Sequence, residues 1–123
     1  MSASITAARS ALSSALVAAS IRCSDSPGDT AAPVVHIFGN GTPDMRHVVR
    51  GQVEYEFQLV LQPEGGTPAI ASVNLGLMAE AVIVVLRNLA GFKVGPISQD
   101  VMRTLAGSDF LSVDITTSTM IDL

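Results

Sequence analysis

The sequence contains few charged residues for a soluble domain, and this scarcity limits what the chain can do alone. Charged side chains make up 15% of its 123 residues, whereas about 25% is usual. Hydrophobic residues make up 48%, and the mean hydropathy is +0.45. Because a soluble monomer needs a hydrated, charged surface, we infer that part of this surface is covered. The two candidates are a membrane and other protein subunits.

The sequence also lacks an uninterrupted apolar run long enough to span a membrane. Its most apolar stretch, residues 75–86, is interrupted by Glu80 and followed by Arg87. A spanning helix needs about 20 apolar residues. Residues 11–19 resemble the core of a secretory signal, but Arg9 is the only basic residue before them, so the charged leading segment is nearly absent. We therefore expect no membrane association and predict a helix at residues 11–19.

Cysteine and positive charge are scarce as well. Cys23 is the single cysteine, so no intramolecular disulfide is possible, and a reducing compartment fits. The net charge is −4 and unevenly spread: residues 1–50 hold four Arg and three Asp (+1), and residues 51–123 hold three basic and eight acidic side chains (−5). An acidic domain without a basic stripe is a poor nucleic-acid binder.

The first half of the chain predicts a helix followed by two strands. Ser4 is a candidate N-cap for a helix over residues 4–20. Residues 34–38 are β-branched and end at a glycine-rich turn, residues 39–41. From residue 47 to residue 62, apolar and polar side chains alternate, which predicts a long strand with one buried and one hydrated face. Within it, Gly51 is predicted to mark a bulge or bend.

The second half predicts a helix and two further strands. The helix is expected to begin at Ser72 or Asn74 and to end at Leu89, although periodicity alone leaves open a buried strand at residues 81–86. Residues 63–68 are predicted to form a loop before it. One apolar stripe of this helix faces the core, and a second stripe on its far side includes Leu77 and Val84, so we expect burial on both sides.

The resulting order is α-β-β-α-β-β, with the last strands at residues 99–105 and from residue 111 onward. It predicts a single α+β domain over residues 1–123. The expected architecture is an antiparallel, possibly mixed, sheet with two helices packed on one face.

The side chains that could carry chemistry do not form a convincing active site. His36, His47 and Cys23 are too few and too scattered for a zinc site. Asp44 lies close to His47, but a loop Asp more often caps a turn than orients a catalytic base. The glycine pairs at residues 39–41 and 65–66 lack the lysine of a phosphate-binding loop. We therefore predict no catalysis, no metal and no cofactor.

Taken together, several segments resemble the tail-terminator and tail-completion (minor tail) proteins of long-tailed bacteriophages. The similarity covers an opening helix at residues 5–19, a loop ending in RHVVR at residues 46–50 and the alternating strand VEYEFQLVLQ at residues 53–62. An apolar helix and a hairpin with a glycine turn follow. The resemblance rests on this ensemble and on no diagnostic motif.

The resemblance implies a viral structural protein: a hexameric ring that ends the tail tube and meets a head-completion or neck protein. Such a ring belongs to the virion tail and is assembled in the host cytoplasm. DNA would pass through its lumen without specific binding, and a face with Glu54 and Glu56 suits such a lumen because like charges repel. The expected subunit-interface residues are Asn40, Asp44, Arg46, Arg50, Gln52, Glu54, Glu56, Gln58, Leu77 and Val84.

Three other interpretations remain open at this point, and one of them is a cellular regulatory subunit that forms no ring. A head–tail connector or neck subunit would have almost the same sequence pattern. A protein of a different class, a small ligand-binding or enzymatic α+β domain, would place a pocket between the second helix and the sheet.

Overall fold

The α+β class is confirmed by a computed structural model. It describes residues 4–24, 33–41, 51–64, 67–105 and 107–122. Within these ranges the elements in chain order are α1 (Ile5–Ala18), β1 (Cys23–Ser24), β2 (Val34–Gly41), β3 (Gln52–Gln62), α2 (Pro68–Asn88), β4 (Phe92–Ile97), β5 (Val101–Leu105) and β6 (Ser108–Asp122).

The strands form one mostly antiparallel sheet in the order β1-β2-β3-β6-β4, and β5 also pairs with β6. Along one side, β3 pairs with β2, with Val34 opposite Gln62. Along its other side it pairs with β6, from Gln52 opposite Asp122 to Leu61 opposite Val113. Only the short β1 runs parallel to its neighbour among the described strands. The centre of the sheet is therefore formed by β3 and β6.

The alternation of β3 produces the buried face that the sequence predicts. Val53, Phe57, Leu59 and Leu61 are fully buried in the core beneath the helices. Gly51 has φ +79°, so the predicted bend lies there and the strand begins one residue later. Residues 47–50 of the predicted strand lie outside the described ranges.

α1 begins at the predicted cap and docks on the sheet through a narrow stripe. Ser4 Oγ accepts a hydrogen bond from the backbone N of Ala7 at 3.0 Å. Ala8, Leu12 and Leu16 are buried, and each leucine contributes about 1.5–3 kcal/mol through burial. Ile5, at the start of the helix, is 42% exposed.

α2 starts earlier than the sequence pattern predicts, and residues 63–68 are not all loop. Thr67 caps the helix, its Oγ1 accepting from the backbone N of Ile70 at 3.3 Å, and Pro68 occupies the first turn. Proline suits this position because its missing N–H has no intrahelical partner there. Leu75, Val82 and Leu86 are buried against the sheet, so the alternative of a buried strand is wrong.

Two strands, β1 and β4, are absent from the predicted order. In β4, Gly95 and Pro96 interrupt the alternation of apolar and polar residues that would predict a strand. A Cβ on Gly95 would lie 3.0 Å from the backbone O of Thr116, and the pairing with β6 shifts register between Val94 and Ile97. Proline and an irregular register are typical of an edge strand that is protected from further pairing.

The glycine-rich segment after residue 38 also differs from the prediction. Residues 39–41 continue the strand, with a bulge between Gly39 and Gly41, instead of forming a turn. A Cβ on Gly39 would overlap Tyr55 Oη and approach Arg9 Nη2 at 3.2 Å. Gly39 therefore makes room for the Tyr55 ring.

Candidate interaction surfaces

The face of the sheet opposite the helices, the outward sheet face, carries a ladder of polar side chains across β3 and β6. Gln52 Nε2 donates to Asp122 Oδ1 at 2.9 Å. Further along the two strands, Gln58 Nε2 donates to Asp114 Oδ2 at 2.8 Å. These bonds fix the polar side chains of the predicted hydrated face, so the ladder is preorganised.

Glu54 lies between these two pairs and has partners on both β6 and β4. Its Oε2 accepts from Ser118 Oγ at 3.3 Å and lies 3.9 Å from Lys93 Nζ. Lys93 is highly exposed, with 78% of its side chain accessible, whereas the Glu54 side chain is 25% accessible. An exposed pair of this kind contributes about 0–1 kcal/mol. The main effect of the pair is therefore to fix the orientation of the Glu54 carboxylate.

Asp114 of β6 contacts both β5 and the connection between β4 and β5. Its carboxylate forms an ion pair with Arg103 of β5. Its backbone N donates to Ser98 Oγ, and its backbone O accepts from the N of Ser98, both at 2.9 Å. The connection between β4 and β5 is therefore anchored on β6 by backbone and side chain together.

At the β2 end of the outward sheet face, a polar pair is buried. His36 is 1% exposed and its Nε2 lies 2.8 Å from Gln62 Oε1. Because an amide oxygen can only accept, a hydrogen bond between these two atoms requires Nε2 to be the donor. The rings of Phe38 and Phe110 lie 6.4 Å from the imidazole on centroid distance. No residue in the described ranges bonds His36 Nδ1.

This arrangement gives His36 a structural part in the fold. The imidazole is buried and stacks with the rings of Phe38 and Phe110. His47 and Asp44, the other residues considered for catalysis, lie outside the described ranges. Among the residues placed by the structure, no group of three His, Cys, Asp or Glu could hold a metal ion. The expectations of no catalysis, no metal and no cofactor stay predictions.

The hairpin of β5 and β6 extends past the end of β3. Val101–Leu105 pairs with residues 108–112 of β6, whereas the pairing of β3 with β6 stops at Val113. The five paired positions give an arm of about 17 Å. Met102 is 70% exposed and Val101 is 40% exposed. We call residues 101–112 the hairpin arm; on β5 it presents a strand edge that no described strand covers.

The outer face of α2 exposes large apolar side chains on the other side of the domain. They are the predicted second apolar stripe together with Ile70, which is not part of it. The exposed fractions are 52% for Ile70, 63% for Val73, 61% for Leu77 and 57% for Val84. The expected burial on two sides is therefore not reached within one chain. Contiguous apolar surface of this kind marks an interaction site more often than a single scattered apolar residue does.

α2 has the length and composition of a membrane-spanning helix. The stretch Ala69–Asn88 has a mean hydropathy of 2.1, and 17% of it is buried. The length of α2, 21 residues, therefore does not exclude a membrane span. In this fold, however, Leu75, Val82 and Leu86 pack into the core, so spanning a membrane would require the helix to leave the sheet. The absence of membrane association stays a prediction.

A cavity of about 420 Å³ lies at one end of the helical layer. It is bounded by Ile21, Pro33, Pro63 and Leu77, and its polar side chains include Arg22, Glu64 and Asn74. It is the place in the described structure that a small ligand would occupy if the ligand-binding alternative held. It is open and mainly apolar in its lining, and His36 does not line it.

The predicted interface residues fall on two surfaces that the structure does not bring together. Asn40 lies in β2. Asp44, Arg46 and Arg50 lie outside the described residues. The remaining residues divide between the outward sheet face (Gln52, Glu54, Glu56, Gln58) and the outer face of α2 (Leu77, Val84).

Sequence reasoning misses the exposed residues of the hairpin arm. Val101 and Met102 are adjacent apolar residues in a predicted strand, and the pairing that carries them beyond β3 depends on register. β6 has 15 residues and β3 has 11, a difference that the sequence pattern does not predict.

No protein-family model matches the chain, and a comparison with curated proteins finds no match either. Its function is therefore argued from the fold and from these surfaces.

Proposed function

We propose that the chain is a self-assembling structural subunit that forms a ring at the end of a phage tail tube and joins it to the head or neck. The observation that carries this proposal is the hairpin arm, which extends beyond the sheet and exposes Met102 by 70%. A protruding strand pair with an apolar edge is suited to pairing with another chain.

The free edges of β4 and β5, the two strands that pair with β6 besides β3, differ in a way that favours a directional contact between subunits. The β4 edge is blocked by Pro96 and by its irregular register, so it cannot receive a strand. The β5 edge is regular over its five paired residues. If the arm of one subunit docks on a different surface of the next, the contact repeats head to tail, and it closes into a ring when the rotation allows.

The outward sheet face suits the lumen of such a ring. Its described charged residues are four carboxylates and two basic side chains: Glu54, Glu56, Asp114, Asp122, Lys93 and Arg103. A net negative, internally bonded surface repels phosphates and offers few free donors. DNA could pass such a lumen without being held. A head–tail connector or neck subunit would use the same architecture.

The experiment that tests the proposal is native mass by light scattering, followed by negative-stain imaging across a concentration series. We expect wild-type protein to form a closed ring, and Met102→Glu to abolish the ring while the far-UV spectrum stays unchanged. Gln99→Glu is the matched control, because Gln99 is exposed in the connection before the arm.

Binding to a purified tail-tube protein then separates the terminator from a neck subunit. A wild-type chain that forms no ring alone or on a tube template would overturn the proposal. Rings that persist in Met102→Glu would show that the arm is not the contact.

A further inference from the structure

The outer face of α2 carries two charged residues of opposite sign, Glu80 and Arg87. They are the only charged residues among the exposed positions of α1 and α2 that the structure describes. Arg9 of α1 is half-buried, and its guanidinium contacts the backbone O of Ile37 and the ring of Phe57.

Glu80 and Arg87 lie on the same side of the apolar stripe but cannot bond each other. Seven positions separate them, which is about 10 Å along the axis and about 20° around it. Neither side chain forms a hydrogen bond or ion pair with any residue in the described ranges. The exposed stripe of Leu77, Ala81 and Val84 runs beside them.

We propose that this face binds a second copy of the chain, with the two α2 helices packed antiparallel about a twofold axis. An axis that relates antiparallel helices brings the same flank of each helix together. With its centre between Ile83 and Val84, it places Glu80 of one copy opposite Arg87 of the other, twice. Each charge then meets its opposite, so the face is complementary to itself.

This centre overlaps residues 79–88 of the two helices, so Ile70 and Val73 lie outside the contact. Val84 is 57% exposed and lies nearest the axis, with Ala81 one turn away, and Leu77 reaches toward the end of the second copy's helix. A small side chain at Ala81 allows close approach of the two helices. The described residues of α1 that are exposed are uncharged, so they add no like-charge repulsion to such a contact.

Other occupants do not fit the charges as well. A parallel twofold contact would bring opposite flanks together and leave both charges without a partner. A lipid surface would have to accept Glu80 and Arg87 beside the stripe at a desolvation cost. The antiparallel contact does not depend on the proposed ring, because a twofold interface is complete with two copies.

The test uses charge reversal and mixing. Glu80→Lys places a lysine opposite Arg87 of the second copy, and Arg87→Glu places two glutamates together. We expect each variant alone to dimerise about tenfold or more weakly than wild type in sedimentation velocity. An equimolar mixture of the two is expected to recover wild-type affinity, because both contacts then pair opposite charges.

Gln99→Lys serves as the control for added positive charge and should dimerise as wild type does. Val84→Ser, at an exposed position near the axis, should weaken the dimer without changing the unfolding midpoint at a protein concentration where wild type is monomeric. Failure of the mixture to recover would overturn the twofold arrangement, as would monomeric wild-type protein at high concentration. Binding of wild type, but not Val84→Ser, to phosphatidylcholine vesicles would assign the face to lipid instead.

Discussion

The contact between Gly39 and Tyr55 gives a stability prediction that can be worked from the structure. Gly39 lies in β2 beside the bulge, and its φ is not among the positive values found at other glycines. A Cβ added there would overlap Tyr55 Oη, whereas Tyr55 Cζ lies 3.5 Å away. The obstacle is therefore mainly one oxygen atom at the end of a ring.

Gly39→Ala is expected to lower the free energy of unfolding by about 1–2 kcal/mol. Overpacking of this kind costs about 1–3 kcal/mol. Replacing glycine at a compatible position returns about 0.4–1 kcal/mol by restricting the unfolded chain. The Tyr55 ring cannot easily move away, because it packs edge-on against Phe57 with centroids 5.0 Å apart.

Tyr55→Phe removes the obstructing oxygen and serves as the second arm of a double-mutant cycle. In the Tyr55→Phe background the same Gly39→Ala change should cost nothing or stabilise slightly, giving a coupling of about 1–2 kcal/mol. Urea unfolding of the four proteins measures it. Additive effects, with a coupling below about 0.3 kcal/mol, would refute the steric explanation.

Two further predictions concern the outward sheet face. His36→Leu should destabilise by about 1–3 kcal/mol because the buried hydrogen bond between Gln62 Oε1 and the imidazole is lost, and adding Gln62→Leu should recover part of that loss, as measured by urea unfolding. If DNA passes along this face, Glu54→Lys with Glu56→Lys should leave ring assembly intact and reduce infectivity; unchanged infectivity would argue against a lumen there.

The sequence predicts best those elements whose pattern depends on neighbours along the chain. The alternation in β3 locates its buried face correctly because side chains of successive strand residues must point to opposite sides. The main stripe of α2 follows in the same way from helical spacing. The start of α2 is placed too late by that spacing, although Thr67 and Pro68 are a usual cap and first-turn pair.

Features that depend on distant parts of the chain cannot be predicted in this way. β4 escapes sequence reasoning because Gly95 and Pro96 interrupt its pattern, and only its pairing with β6 makes it a strand. The ion pair of Arg103 with Asp114 and the reach of the hairpin arm both follow from the register of β5 and β6. Likewise, helical spacing identifies the second apolar stripe of α2, but the sequence alone does not tell which partner covers it.

The central position of β6 has a consequence for how the chain acquires its structure during synthesis. β3 depends on β6 for one whole side, and Gln52 pairs with Asp122, 70 positions later. Contacts so distant along the chain slow folding. While a ribosome has yet to release residues 108–122, β3 has a single neighbouring strand and its other edge is bare. The nascent protein is then most exposed to mispairing, so we expect a growing chain to become safe from aggregation only after residues 108–122 have emerged.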